Sequence, residues 1–193
     1  MNKLGKQDAL FIMNVQNDFC PGGAMAVPEG DQVIPVLNPW IAAAQRGQAV
    51  IVASRDWHPP GHISFRERGG PWPPHCVRHT RGARFHDRLR LPVDAIVIDK
   101  GDDADHDSYS SFDRTDLHAR LKAASVRRLW LGGLAMDYCV LSTALDAARL
   151  GYEVHVIEAA TRPVDTSHEG RQATFDLLHD AGVAVEGALR KAG

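Results

Sequence analysis

Leu131-Gly-Gly-Leu-Ala-Met-Asp-Tyr-Cys139-Val140 reads as the end of a strand, a turn and the start of a helix. The apolar run Arg128-Leu-Trp-Leu131 enters it, and two glycines then interrupt the extended pattern. Asp137 is the residue type that caps a helix, because its carboxylate accepts from unpaired backbone N–H groups two or three residues on. That reading puts Cys139 at the second helical position, where the positive end of the helix dipole favours thiolate over thiol. A lone cysteine is more often a small buried hydrophobe. Its place at a strand–turn–helix junction favours the nucleophile.

The rest of the chain repeats the alternation of strand and helix. Ala9-Leu-Phe-Ile-Met13, Ala49-Val-Ile-Val-Ala53, Ala95-Ile-Val-Ile98, Val154-His-Val-Ile157 and Val183-Ala-Val185 are short continuous apolar runs, the mark of strands buried on both faces. Between them lie helical patterns. One spans 31–46, with Pro35 in its first turn and Gly47 as its stop; one is led by Thr115 and carries Leu117, Leu121 and Ala124. The Cys139 helix has Val140, Ala144 and Ala147 on one face and Gly151 as its stop, and a last helix spans 167–181. The pattern predicts an α/β fold: a three-layer sandwich with a central six-stranded, mostly parallel sheet and helices on both faces, in a single domain over 1–193. Ligands of such sheets sit at the carboxyl ends of the strands. Asn14, Asp56, Lys100 and Cys139 all fall at or just past those ends.

Composition narrows the function. The chain has 193 residues, 44% hydrophobic and 24% charged, with a formal net charge of −2 and no basic run, which argues against nucleic acid. No apolar stretch reaches membrane-spanning length, and the polar start from Met1 to Asp8 lacks the apolar core of a signal peptide. Three cysteines, at 20, 76 and 139, suit a reducing compartment, so Cys20 and Cys76 read as plain thiols and the expected location is cytoplasmic.

The segment over about 56–92 is too long for an ordinary connection and is rich in His, Trp and Pro. Asp56-Trp-His58-Pro-Pro-Gly-His62 and the later Trp72-Pro-Pro-His75 offer one carboxylate and up to three imidazoles. That donor set suits one borderline divalent cation, Zn²⁺ first, with Mn²⁺ or Fe²⁺ also accommodated, and without thiolates it leaves open coordination positions. Lys100 at a strand end is by default a surface lysine, or, at the mouth of a site, one that orients reacting groups or stabilises negative charge. Phe19, Trp57, Trp72 and Tyr109 are candidates to wall a flat ring.

Together these motifs resemble the nicotinamidase/pyrazinamidase branch of the isochorismatase-like cysteine hydrolases. The residues that carry the resemblance are Asn14-Val-Gln-Asn-Asp-Phe-Cys-Pro-Gly-Gly23, Asp56 to His62, Trp72 to Cys76, Lys100-Gly101 and Gly133 to Val140, in order from about residue 8 to 165. The resemblance implies a nucleophile at Cys139 and a catalytic lysine at Lys100. It implies metal on Asp56, His58 and His75 with His62 beside them, and ring contacts from Phe19 and Trp72. It also implies an oxyanion hole from the N–H groups of Ala135 and Cys139, and a cis peptide near Leu134–Ala135. The implied reaction is hydrolysis of nicotinamide or a similar small aromatic carboxamide to acid and ammonia, as in NAD salvage, by a protein compatible with a homo-oligomer.

Two residues depart from the family pattern. Asn14 stands where the family has a catalytic Asp, and Met136 where it usually has Thr. An amide cannot take the thiol proton at neutral pH. Asp18, the carboxylate nearest in sequence, belongs to the structural Asn-Asp-Phe turn of the family. Three readings therefore stand side by side: an amidohydrolase impaired by Asn14, a metal- and ligand-binding pseudoenzyme or trapping mutant, and a sister amidase with another substrate.

Overall fold

A computed structural model describes residues 4–187; the polar start at 1–3 and the end of the expected domain at 188–193 lie outside the described residues. The first strand, β1 (Asp8–Met13), is buried along its whole length. Its side chains alternate between two apolar layers, Leu10 and Ile12 in one, Ala9, Phe11 and Met13 in the other. A strand sandwiched in this way has to be apolar throughout, which is why it reads as a run rather than an alternation.

The remaining elements are α1 (Ile34–Gly47), β2 (Val50–Asp56), β3 (Ile96–Lys100), α2 (Leu117–Ala123), β4 (Arg128–Leu134), α3 (Leu141–Arg149), β5 (Glu153–Arg162), α4 (His168–Asp180) and β6 (Ala184–Glu186). The strands form one six-stranded sheet in the order β3-β2-β1-β4-β5-β6, and every pairing is parallel. Helix α1 covers one face with Leu37, Trp40 and Ile41, and Trp40 leans on Trp130 at 5.4 Å. Helices α2, α3 and α4 cover the other with Leu121, Ala144 and Leu178. None of the described helices is long and apolar enough to cross a membrane.

Several element ends differ from expectation. A 3₁₀ turn, Gly30–Val33, precedes α1, and the left-handed residue that ends α1 is Gln48 rather than Gly47. Helix α2 is preceded by Asp116, which makes no side-chain cap; Thr115 Oγ1 instead donates to the Ser111 carbonyl at 2.6 Å and accepts from Leu117 N–H at 3.3 Å. Strand β4 continues through the glycines to Leu134. A Cβ on Gly133 (φ +115°) would lie 2.0 Å from the Met13 carbonyl oxygen, so only glycine lets β4 lie this close to β1. The Leu134–Ala135 peptide is cis, as the resemblance implies.

The chain runs outward from β1 through β2 to β3, then returns to β4 on the other side of β1. That reversal leaves a crevice at the carboxyl ends of β1 and β4, where ligands of open parallel sheets bind. At the opposite end the two strands are tied by Asp8, which accepts from Arg128 Nε at 2.6 Å and Trp130 Nε1 at 3.1 Å.

Candidate active site

Cys139 arrives on a tighter device than a capped helix. After Ala135 the chain makes a π-helical turn, Met136–Val140, which passes into α3. Asp137 does not cap it. Its carboxylate instead accepts from the backbone N–H groups of Val164 (2.9 Å) and Asp165 (2.8 Å), tying the turn to the chain beyond β5. Cys139 is buried, and burial pushes its thiol up to about 11. The Lys100 charge opposes this, Asp56 adds to it, and hydrogen bonds from Lys100 and Asn14 oppose it further. Burial therefore works against the thiolate that the helix dipole favours, and the Lys100 ammonium works for it.

Lys100, the last residue of β3, is 1% exposed. Its Nζ donates to Asp56 Oδ1, to the Ser108 carbonyl at 3.2 Å and to Cys139 Sγ at 3.5 Å, which accounts for all three ammonium hydrogens. Burial alone would lower its pKa, but Asp56 and Cys139 raise it above the ordinary lysine range, so it stays an ammonium. Asp56, the last residue of β2, is pushed up by burial and pulled down further by Lys100, His58 and His75; its carboxyl lies well below the usual carboxylate range. Asn14 follows β1 in left-handed backbone (φ 52°) and donates from Nδ2 to Asp56 Oδ1 at 3.4 Å, while its buried Oδ1 has no hydrogen-bond partner among the described residues.

Two histidines face the other oxygen of Asp56. His58 Nδ1 donates to the Gly101 carbonyl at 2.8 Å, and His75 Nδ1 to the Pro73 carbonyl at 2.8 Å. These bonds fix both tautomers with Nε2 as the lone-pair nitrogen. The two Nε2 atoms lie 3.8 and 4.0 Å from Asp56 Oδ2. Asp56, His58 and His75 each offer an atom within 4.8 Å of the others, and all three are buried. The donor set and its fixed tautomers fit one divalent transition metal. His62 does not join it. Its Nδ1 meets Ser64 Oγ at 2.7 Å, its Nε2 the His106 carbonyl at 2.9 Å, and its ring stacks on His58 at 4.1 Å. His62 thus packs against the candidate ligand His58 with both ring nitrogens already engaged.

A narrow pocket opens beside these groups, lined among others by Asn14, Phe19, Trp72, Tyr109, Ala135 and Cys139. Phe19 tilts against His75 at 5.6 Å. Trp72 Nε1 donates to Tyr109 Oη at 3.0 Å, and Tyr138, whose ring meets both, completes an aromatic wall. Trp57 lies elsewhere, under the Arg55 guanidinium at 3.8 Å and edge-on to His79. Cys20 and Cys76 are buried free thiols. Sequence reasoning gave no role to three contributors: Tyr138 and Gly101, which it quoted only as parts of the Cys139 and Lys100 motifs, and the Ser108 carbonyl, which leaves no trace in sequence.

The isochorismatase domain model matches residues 8–188. The nicotinamidase of Escherichia coli is 40% identical over 199 residues, covering 92% of this chain and 93% of its own. The pyrazinamidase of Pyrococcus horikoshii, solved in complex with zinc, superposes with a TM-score of 0.90 at 43% identity, covering 94% of this chain and 99% of the other. PnC1 from L. infantum, solved in complex with nicotinate, gives 0.86 at 36% identity, covering 96% and 95%.

Proposed function

The chain belongs to the isochorismatase family, and we propose that it is a metal-containing cysteine amidohydrolase of nicotinamidase type, slowed by Asn14. The observation that carries this reading is the meeting of Cys139, Lys100 and the Asp56–His58–His75 cluster at one aromatic-walled cavity. The resemblance to a zinc-bound pyrazinamidase and a nicotinate-bound relative supports the metal and the ring-shaped ligand.

Asp56, His58 and His75 would hold the metal, most readily zinc, whose chemistry is to bind and polarise a ring nitrogen or water. Phe19, Trp72 and Tyr109 would flank the aromatic ring. Cys139 Sγ attacks the amide carbon, and the N–H groups of Ala135 and Cys139 receive the developing oxyanion. The C–N bond then breaks. Ammonia leaves with the thiol proton, and a Cys139 thioester remains. Water adds to the thioester, releasing the acid and restoring the thiol.

The weak step is the transfer of that proton. Sγ meets Lys100, which is already fully protonated, and Asn14, which has no basic site. Asp18 cannot substitute, because its oxygens accept from Cys76 N–H (2.8 Å) and Ala24 N–H (3.2 Å). A general base is worth ~10²–10⁴-fold. Ammonia release from nicotinamide should therefore be weak or absent, and Asn14→Asp should raise it at least about a hundredfold. Equal rates for both forms would show the base to be misplaced. The missing base also favours a second reading, a pseudoenzyme that binds metal and ligand with little turnover, which predicts binding by both forms and no measurable turnover by the chain as it stands. Turnover of other amides but not nicotinamide would point to a sister amidase.

A further inference from the structure

We propose that Lys100 limits how tightly this chain holds its metal, because Asn14 leaves Asp56 as the one carboxylate that two cations must share. The inference rests on the metal-site reading above and concerns what this chain's own residues do to that site. Asp56 divides its two oxygens. Oδ1 receives the Lys100 ammonium and the Asn14 amide (3.4 Å), while Oδ2 faces His58 Nε2 (3.8 Å) and His75 Nε2 (4.0 Å). Lys100 cannot swing away. Its stem is buried, and its remaining hydrogens go to the Ser108 carbonyl and Cys139 Sγ.

Asn14 settles which partner the ammonium takes. A carboxylate oxygen is an acceptor only, so the amide must turn Nδ2 toward Asp56. That orientation adds a second donor to Oδ1 and no negative charge. The other carboxylate lining the cavity, Asp107, accepts from Ser108 N–H at 3.0 Å and is not paired with Lys100. Before metal arrives, Asp56 and Lys100 cancel. A divalent ion on Oδ2 would then face the ammonium across a single carboxylate, in a site too buried for water to screen the repulsion. Removing the lysine charge, or adding an anion at position 14, should each relieve it.

The test is a zinc titration of the chelator-stripped chain against a chromophoric competitor, with activity left out of the readout. Lys100→Met and Asn14→Asp should each bind zinc at least about tenfold tighter than the parent. Asn14→Leu, similar in size and uncharged, should stay within about threefold. Should Lys100→Met fail to fold, Lys100→Gln is read in its place, since it keeps polar contacts without the charge. A lysine-neutral variant that binds zinc no tighter than the parent overturns the proposal, even if Asn14→Asp gains. Zinc binding that His58→Ala abolishes, but that ignores Lys100, overturns this proposal alone. No zinc binding by any form overturns it together with the metal-site reading.

Discussion

Gly101→Ala tests whether strand β3 carries the metal site as well as the lysine. Gly101 follows Lys100, sits at φ +61° and accepts His58 Nδ1–H at 2.8 Å. A Cβ there would stand 2.5 Å from His58 Cε1 and 2.7 Å from Nδ1. The ring has nowhere to retreat, being stacked on His62 and edge-on to Phe65 and His75. A left-handed alanine costs roughly 1–2 kcal/mol, and overpacking a filled site about 1–3 kcal/mol more. A ring displaced by that Cβ would move off the residue-101 carbonyl that orients it, and such supporting bonds are typically worth ~10–100-fold in metal affinity. Gly69→Ala is the control: Gly69 has φ +82°, but its Cβ would meet nothing within 4 Å, so it bears the backbone cost alone. Thermal unfolding of the metal-free proteins and zinc competition titrations give the two readouts. Gly101→Ala should be the less stable variant and should bind zinc at least about tenfold more weakly than Gly69→Ala. Equal zinc affinity in the two would refute the coupling of β3 to His58.

Alkylation with iodoacetamide followed by peptide mapping should modify Cys139 first, since it is 6% exposed against 2% for Cys20 and 0% for Cys76. With the thiol pushed up to about 11, the rate should climb with pH through the whole neutral range, and labelling already maximal at pH 6 would contradict a thiol raised by burial. Asp8→Asn should cost about 1–3 kcal/mol in urea unfolding at pH 7, because it removes charged hydrogen bonds to Arg128 and Trp130. Burial raises the Asp8 carboxyl, but those bonds lower it further, to below 3.8 on balance. Its stabilisation is thus present above the unfolded value and fades as pH falls through the lowered folded one, so parent and variant should converge in strong acid. Trp72→Phe breaks the bond to Tyr109 Oη and should weaken nicotinate binding in calorimetry several-fold, with zinc affinity unchanged.

Core strands were legible because burial on both faces leaves an apolar run, as in Ala9-Leu-Phe-Ile-Met13. Their ends were not. Gly132-Gly133 reads as a turn, yet it extends β4 because the neighbouring strand leaves room for nothing larger. Strand β5 runs on from Ile157 through Glu158 to Arg162, where intermittent burial erases the apolar signal. At the site, residue types predicted the metal cluster, but not which imidazoles would bind. His62 lies in the same motif as His58, and only the structure, through a local contact with Ser64 and a tertiary one with His106, shows that its nitrogens are taken. Trp57 was misread for a similar reason: its neighbour in space is Arg55, not the cavity.

Asn14 shows why likeness of scaffold and competence in catalysis are recorded in different atoms. The position demands left-handed backbone, which asparagine and aspartate tolerate better than most residues with a side chain. Its N–H donates to the Ser54 carbonyl at 2.9 Å, joining β1 to β2 regardless of what the side chain carries. Either residue therefore builds the same crevice, and the exchange of an oxygen for an NH₂ group leaves the fold intact. The site, by contrast, feels that exchange twice. On the proposed mechanism the thiol proton would lack its acceptor, and the buried cluster would lack a negative charge to balance Lys100 beside a bound metal. Both consequences follow from a single neutral side chain, so one substitution, Asn14→Asp, should move turnover and zinc affinity together while stability in the metal-free state need not rise with them.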